Sequence, residues 1–194
     1  SIPIGVVISG MAGCDVVASS HPDWQVGDRL IAMARWEDWS VIVPDAAAVP
    51  PFRLLPDMDF AEALGPLSLN SLTAYFGMTD VGRVSAGDVV LVSGAAGSVG
   101  SVACQIARIL GARVVAIAGD ADKCAWLRDT CGIDAAIDYR GEDVASRLTE
   151  LCPAGIDLFF DNVGGAILDA AIDRMAAHGR IVLCGQIATY DGDA

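Results

Sequence analysis

The sequence contains few basic residues, only two histidines and no long apolar run. Its 12 Lys and Arg residues against 25 Asp and Glu give a formal net charge of −13 at pH 7. Nucleic acid and anionic membranes bind basic surfaces, so we expect neither as a partner. No apolar run approaches the roughly 20 residues that cross a bilayer, and the N-terminus lacks the basic region that starts a signal peptide. We therefore expect a cytoplasmic protein.

Pairs or clusters of cysteine and histidine are also missing. The six cysteines are scattered singly, without a C-x-x-C pair, and most lie inside apolar segments. This pattern predicts reduced thiols that serve as small hydrophobic residues in the cytoplasm. Since His21 and His178 are the only histidines and no ligands cluster, we expect no zinc or other metal site.

The composition is that of a folded protein, with 54% hydrophobic and 19% charged residues. The length allows one large domain, or one domain and part of another. Short β-branched segments in the first 50 residues predict strands at 4–9, 14–19, 28–33 and 39–43. A proline-rich segment follows at 44–56. We place the domain boundary there, with part of a β-rich domain at 1–55 and a second domain at 56–194.

The second domain is organised around residues 88–100, DVVLVSGAAGSVG. A buried strand is predicted at 89–92, followed by a glycine-rich turn and an amphipathic helix that ends at Gly111. Gly94, Gly97 and Gly100 would allow a tight turn and a close approach of a ligand to the backbone. Unpaired N–H groups at the helix start would then bind a phosphate. Because glycines also cluster in ordinary turns, the motif needs support from its context.

Strands and helices alternate after this turn. This alternation predicts an α/β Rossmann fold, a doubly wound parallel sheet that binds ligands beyond the carboxyl ends of its strands. The last predicted strand ends ten residues before the chain does, so we expect the sixth strand of such a sheet to be missing. The further predicted strands are 113–118, 135–139, 156–161 and 180–184, and the predicted helices are 59–64, 68–79, 120–131, 142–151 and 166–177.

Residues after the predicted strands indicate which dinucleotide would fit. The second strand of the sheet ends at Ala118-Gly119, where an NAD site usually has a carboxylate. Lys123, in the next helix, either binds a 2′-phosphate, which favours NADP, or is an ordinary solvated lysine. Asp120 is interpreted as a helix N-cap. Tyr139 either lies against the cofactor or is a half-buried strand residue, and Asn162 either bonds a nicotinamide or occupies a turn.

Functions of other classes remain open on the residues alone. A non-catalytic nucleotide-binding module would keep the same sheet, and a methyltransferase could use the glycine turn with Asp120 on a ribose. A short-chain dehydrogenase is excluded, because none of the three tyrosines (75, 139 and 190) is followed four residues later by lysine.

Several motifs together resemble one protein family over nearly the whole chain. They are LTAYFG (72–77), VSGAAGSVGS (92–101), AGDADK (118–123), IDY (137–139), FDNVGG (160–165) and GRIVLCGQIATY (179–190). They resemble the medium-chain dehydrogenase/reductase superfamily, in particular its zinc-independent branch of prostaglandin reductases and alkenal double-bond reductases. SSHPDWQVGD (19–28) resembles a turn in the GroES-like catalytic domain of that family, so 1–55 would be part of such a domain.

The resemblance implies an enzyme that uses NADPH to reduce the C=C bond of α,β-unsaturated aldehydes or ketones. Hydride would go to the β-carbon and a proton to the α-carbon. The partner would be a small enal or enone, and a homodimer is possible. Tyr190 would be catalytic, because its phenol could stabilise the developing enolate. The implied cofactor residues are Gly97, Ser98, Val99 and Gly100 at the pyrophosphate, Lys123 and Tyr139 at the 2′-phosphate, and Asn162, Cys184, Gly185 and Ile187 at the nicotinamide.

The chain departs from the family pattern in three respects. Asp120 stands where relatives usually have a small residue, which weakens the preference for NADP. Residues 68–71 (SLNS) replace a stretch richer in glycine and proline. Family members are also longer at both ends, so we expect a fragment or a shortened product. A non-catalytic NADP(H)-binding fragment is therefore the alternative to an active enzyme.

Overall fold

The computed structural model describes residues 3–190 and divides into two compact units. The first unit runs to Leu69 and the second begins at Asn70. The domain boundary expected between residues 55 and 56 stays a prediction. The fold is mixed α/β, with one antiparallel and one parallel sheet.

The described part of the N-terminal unit contains an antiparallel sheet and a short α-helix. Its elements are β1 (Ser9–Asp15), β2 (Arg29–Arg35), β3 (Phe52–Arg53) and α1 (Phe60–Leu64), with the strands in the order β1-β2-β3. The core is small, since Ile31, Leu54 and Ala63 form its buried cluster. The helix starts with a capping box: the Asp59 carboxylate accepts the Glu62 N–H, and the Glu62 side chain accepts the Asp59 N–H.

The strand predictions for this unit are only partly correct. β2 forms where strand 28–33 is predicted, whereas residues 39–43 lie outside any strand. The first strand lies at Ser9–Asp15, so it takes only the ends of the segments predicted at 4–9 and 14–19. Its glycine-rich sequence has low strand propensity, and it is a strand because every residue pairs with β2. Gly13 has a packing role, since a Cβ there would lie 2.6 Å from Cγ of Phe60.

The C-terminal unit contains a five-stranded parallel sheet with helices between its strands. The strand order is β6-β5-β4-β7-β8. β5 and β6 lie on one side of β4, and β7 and β8 lie on the other, so the strand order reverses between β4 and β7. This order confirms the predicted doubly wound fold class. The strands are β4 (Val89–Val92), β5 (Arg113–Ala118), β6 (Ala135–Asp138), β7 (Ile156–Asp161) and β8 (Met175–Leu183). The helices are α2 (Leu69–Phe76), which continues into the π-helical turn Gly77–Val81, α3 (Ser98–Ile109), α4 (Ala121–Asp129), α5 (Val144–Leu151) and α6 (Gly165–Ile172).

Helices cover both faces of the parallel sheet, and consecutive side chains of a strand point to opposite faces, so each strand contributes to two core clusters. In β4, Val90 and Val92 belong to the core cluster that includes residues of α3 and α4. Leu91 belongs to the cluster that includes residues of α5 and α6. All three side chains are fully buried, which explains why this strand is a continuous apolar run.

One helix is shorter than predicted, and the strand after it is longer. The helix predicted at 166–177 ends at Ile172, and β8 begins at Met175 rather than at residue 180. Methionine and alanine favour helix by propensity, but Met175 pairs with Ile156 of β7, so tertiary pairing overrides the local preference.

Within residues 3–190, no helix is both long enough and apolar enough to cross a membrane.

Candidate functional site

Three turns meet where the strand order of the parallel sheet reverses. We name them the β4 turn (93–97), the β7 turn (162–165) and the β8 turn (184–189), each after the strand that it follows. A Cβ on Gly94 would lie 3.4 Å from Cβ of Asn162, so the β4 and β7 turns are in contact. A Cβ on Gly185 would lie 3.0 Å from the Asn162 carbonyl oxygen, so the β8 turn adjoins them. In doubly wound sheets this position is where ligands bind.

The β4 turn has the geometry of a backbone cradle. Gly94 has φ +57°, in the left-handed region that favours glycine. The Ala95 N–H donates to the Ile117 carbonyl (3.0 Å), and the Gly97 N–H donates to the Gly94 carbonyl (3.0 Å). Gly100 packs on the turn, since a Cβ there would lie 2.8 Å from Cα of Ala95. The motif therefore folds as expected, with glycines where the backbone turns or packs closely.

The start of α3 offers N–H groups to an anion. The first hydrogen bond of the helix runs from the Ser101 N–H to the Gly97 carbonyl (2.9 Å). The N–H groups of Ser98, Val99 and Gly100 precede it and have no carbonyl within the helix to bond. Gly97 brings no side-chain cap to them. Together with the helix dipole, these groups form a site suited to a phosphate.

Asp120 and Lys123 interact twice at the end of β5. Asp120 is the N-cap of α4, as the sequence predicts, because its Oδ1 accepts the Lys123 N–H (2.8 Å). Its Oδ2 also lies 2.9 Å from Nζ of Lys123. The Lys123 N–H first, and then the Lys123 ammonium, hold the pKa of Asp120 below its usual value. The only lysine of the chain is thus paired with a carboxylate, with which any bound phosphate would have to compete.

Tyr139 lies beside the end of β5. Its N–H donates to the Ala118 carbonyl (3.1 Å), and a Cβ on Gly119 would lie 3.0 Å from Cε1 of its ring. The side of Gly119 on which a side chain would stand is therefore bordered by the Tyr139 ring. Arg140 has no role among the predictions made from the sequence. Its guanidinium lies 5.8 Å from the centre of that ring. Its charge also helps to lower the pKa of Asp120, so a second cation stands near Lys123.

Asn162 is held at the strand ends by two hydrogen bonds to one residue. Its backbone N–H donates to Oγ of Ser93 (2.8 Å), and its Nδ2 donates to the Ser93 carbonyl (2.7 Å). The side-chain amide is therefore oriented by the β4 turn. Asp161, directly before it, is fully buried. Ser93 and Asp161 have no role among the predictions made from the sequence, although a polar residue at the end of an otherwise apolar strand is the signal that could have revealed them.

The β8 turn places Cys184 and Gly185 next to Asp161. Their N–H groups donate to the Asp161 carbonyl at 2.8 and 3.1 Å. Burial, and then the Asp161 charge, raise the pKa of Cys184, so its thiol stays protonated at neutral pH. Ile187 and Tyr190 are exposed, the latter by 70%. The Tyr190 N–H donates to the Ile187 carbonyl (3.3 Å), and its role in catalysis stays a prediction.

The predicted residues thus form two groups at one edge of the parallel sheet. The start of α3, Asn162, Cys184 and Gly185 belong to the three touching turns. Lys123 and Tyr139 belong to the neighbouring ends of β5 and β6, where Ala118 pairs with Asp138. The residues predicted for the pyrophosphate and the nicotinamide therefore belong to a different group from the two predicted for the 2′-phosphate, and their roles stay predictions.

A different concave region lies within the N-terminal unit. It has a volume of about 950 Å³ and is lined by residues between Ala12 and Pro51, including Trp24 and Trp39. None of the predicted cofactor residues lines it.

Over the described part of the chain, no three His, Cys, Asp or Glu side chains are grouped closely enough to hold a metal ion.

The sheet order and the glycine turn before α3 define a dinucleotide-binding domain of the Rossmann type. A family model described as zinc-binding dehydrogenase matches residues 98–192. Residues 98–192 therefore form a dehydrogenase domain of the medium-chain dehydrogenase/reductase superfamily.

Named relatives and a solved structure support this assignment. The chain is 34% identical to the NADPH-dependent curcumin reductase of Escherichia coli (strain K12), over 98% of this chain and 54% of that protein. It is 36% identical to the NADP(+)-dependent 2-alkenal reductase of Nicotiana tabacum, over 96% of this chain and 54% of that protein. The crystal structure of CurA in complex with NADPH from Vibrio vulnificus matches with a TM-score of 0.90 and 35% identity, over 100% of this chain and 56% of that one. The chain thus spans about half the length of the relatives that it matches.

Proposed function

We propose that the chain carries the NADP(H)-binding domain, and part of the catalytic domain, of an NADPH-dependent oxidoreductase. The observation that carries this proposal is the start of α3, which follows the β4 turn at the point where the strand order reverses and whose N–H groups have no side-chain cap from Gly97. The relatives named as NADPH- or NADP(+)-dependent reductases support the same cofactor. In line with the family branch that it resembles, we propose that the enzyme works without zinc.

The residues present fit a dinucleotide. A Cβ on Gly97 would have one neighbour within 4 Å in the described chain, the Gly94 carbonyl oxygen at 3.2 Å, so this side of the turn is open to a ligand. We assign the N–H groups of Ser98, Val99 and Gly100 to the pyrophosphate. Asn162, Cys184, Gly185 and Ile187 are assigned to the nicotinamide half.

The preference for NADP rests on the adenosine end. β5 ends at Ala118-Gly119, without the carboxylate that would bond the ribose hydroxyls of NAD. Lys123 and Tyr139 stand beside this position, and we assign both to the 2′-phosphate. The bond between Lys123 and Asp120 opposes this preference, because the ammonium must leave or share its carboxylate to meet a phosphate.

The reaction that we propose is reduction of the C=C bond of an α,β-unsaturated aldehyde or ketone. NADPH, when bound, supplies hydride to the β-carbon. The residues of this chain bind and orient: the β7 and β8 turns face the nicotinamide half, and the phenol of Tyr190 donates a hydrogen bond to the substrate carbonyl oxygen as enolate charge develops. A proton from water then reaches the α-carbon, and the carbonyl group of the product is restored. We further propose a cytoplasmic enzyme, since all six cysteines are free, and a homodimer.

The second candidate is an NADP(H)-binding module without activity of its own. The chain spans only about half of its relatives, and Tyr190 is 70% exposed. Two measurements on the 194-residue chain distinguish the candidates. Saturable NADPH binding, followed by fluorescence, is expected for both. Loss of NADPH absorbance that depends on an added 2-alkenal or enone is expected only for the enzyme, and no saturable NADPH binding would contradict both.

A further inference from the structure

A buried carboxylate lies at the centre of the three turns. Asp161, at the end of β7, has no solvent exposure. Its Oδ1 accepts the Ser93 hydroxyl (2.6 Å) and the N–H groups of Val163 (3.0 Å) and Gly164 (3.1 Å), and its Oδ2 also lies 3.1 Å from the Gly164 nitrogen. Hydrogen bonds to an ionised acceptor are stronger than neutral ones, so this carboxylate fixes the β7 turn firmly.

Ser93 extends this network into the β4 turn. Its hydroxyl donates to Asp161 and accepts the Asn162 N–H (2.8 Å), so donor and acceptor are both used. The Asn162 side chain returns to the Ser93 carbonyl (2.7 Å). β4 and β7 are neighbouring strands, and these three hydrogen bonds join their ends beyond the last pair of the ladder, Val92 with Phe160.

The backbone of Asp161 connects the third turn. Its carbonyl accepts the N–H groups of Cys184 and Gly185, at 2.8 and 3.1 Å. The Ala188 N–H then donates to the Val163 carbonyl (2.9 Å). Asp161 therefore bonds directly to residues of all three turns.

We propose that Asp161, together with Ser93, is a positioning residue that sets the relative placement of the three turns for the pyrophosphate–nicotinamide half of the cofactor. This rests on the proposed function. Asp161 acts through the turns and does not itself touch the cofactor, since it is fully buried. Lys123 and Tyr139 belong to the ends of β5 and β6, and no bond of this network reaches them. The effect of Asp161 is therefore confined to one half of the dinucleotide.

The hydrogen bonds of the site suit a carboxylate. Oδ1 of Asp161 accepts a hydroxyl and two N–H groups, and Oδ2 faces the Gly164 N–H as a further acceptor. An asparagine whose oxygen takes the place of Oδ1 would turn its NH₂ group toward the Gly164 N–H, and the bonds that remain would be neutral rather than charge-assisted. Placement matters because a shift of about 1 Å in a binding group can cost up to about a hundredfold in function.

Two variants and two ligands test the proposal. NADPH spans both halves of the site, whereas adenosine 2′-monophosphate carries the adenosine end without either phosphate of the pyrophosphate. In calorimetric titrations, Asp161→Asn and Ser93→Ala should weaken NADPH roughly tenfold or more, and adenosine 2′-monophosphate by less than about twofold. Ser93→Thr, which keeps a hydroxyl, should bind NADPH nearly as the unaltered chain does.

Asp157→Asn is the matched control, because it lies on the same strand, near its other end. The Asp157 Oδ2 accepts the Val89 N–H (2.8 Å), so this change also removes a carboxylate that bonds neighbouring backbone. It should lower thermal stability and leave the affinity ratio of the two ligands unchanged.

The outcomes are separable. Equal weakening of both ligands in Asp161→Asn and Ser93→Ala, or no weakening of NADPH in either, would overturn the positioning role. If Asp161→Asn does not fold, Ser93→Ala carries the same expectations. If the unaltered chain fails to bind NADPH at all, the proposed function is wrong, and the positioning role is overturned with it.

Discussion

Replacing Gly100 by alanine should destabilise the C-terminal unit, whereas the same change at Gly97 should not. A Cβ on Gly100 would lie 2.8 Å from Cα of Ala95, and the Gly94 carbonyl oxygen is also too close. Both neighbours are backbone atoms, so they cannot rotate away. A Cβ on Gly97 would meet only the Gly94 oxygen, at 3.2 Å, and its φ of −78° suits any residue.

The size of the difference follows from opposing contributions. Overpacking at Gly100 costs about 1–3 kcal/mol, and alanine recovers about 1 kcal/mol of helix propensity there. Because the clash is with backbone, we expect a net loss of roughly 1–2 kcal/mol, or about 2–8 °C in the thermal midpoint. At Gly97, a weaker N-cap costs about 0.5–1 kcal/mol, and the stiffer unfolded chain returns about 0.4–1 kcal/mol. The midpoint should then change by less than about 2 °C.

Thermal unfolding followed by circular dichroism measures both variants. A titration with NADPH separates the second role of the turn: Gly97→Val should abolish dinucleotide binding while the folded spectrum is kept, because its side chain would fill the open side of the turn. The reasoning would be refuted if Gly100→Ala were as stable as the unaltered chain. Retained NADPH binding in Gly97→Val would show that this turn does not hold the pyrophosphate.

The other predictions concern charges at helix starts. Lys123→Ala should weaken NADPH by roughly 1–3 kcal/mol and leave NADH nearly unchanged; equal losses for both would contradict the 2′-phosphate assignment. Asp120→Asn keeps an N-cap of equal quality but frees Lys123, so NADPH affinity should rise by about two- to fivefold, and a fall would show that the carboxylate aids binding. The Ser146 hydroxyl first, and its N–H second, hold the pKa of Asp143 below its usual value, so this cap stabilises the fold above about pH 4 and stops doing so as the pH falls further. Asp143→Ala should therefore lower the thermal midpoint by about 2–4 °C at pH 7, and the difference should shrink as the pH falls below about 4; a constant difference would contradict this.

The sequence was most informative where local patterns and tertiary structure agree. β4, β5 and β7 lie at the predicted residues, because buried parallel strands are continuous apolar runs that glycine turns and helices separate. The cap at Asp120 and the positive φ at Gly94 are local properties, so they too could be read from single residues.

Long-range pairing explains what the sequence could not show. β1 consists largely of glycine and small residues, and only its partner β2 makes it a strand. The pairing of Met175 with Ile156 likewise turns a helix-favouring segment into β8. In the site, the Asp161–Ser93 bond joins residues 68 positions apart, and no periodicity encodes such a contact.

The same limit applies to the adenosine end of the site. The sequence identified Lys123 and Asp120 separately, but their mutual bond of 2.9 Å depends on side-chain conformations. It also identified Tyr139 without its position over Gly119 or the nearby Arg140.

The most direct test of the central claim is the ratio of NADPH to NADH affinity of the 194-residue chain, measured by calorimetric titration. From the start of α3 and the β4 turn we expect saturable binding of both dinucleotides. From Lys123 and Tyr139 we expect NADPH to bind at least about tenfold more tightly than NADH. Equal affinities would contradict the assignment of the 2′-phosphate site. No binding of either dinucleotide would contradict the proposed function as a whole.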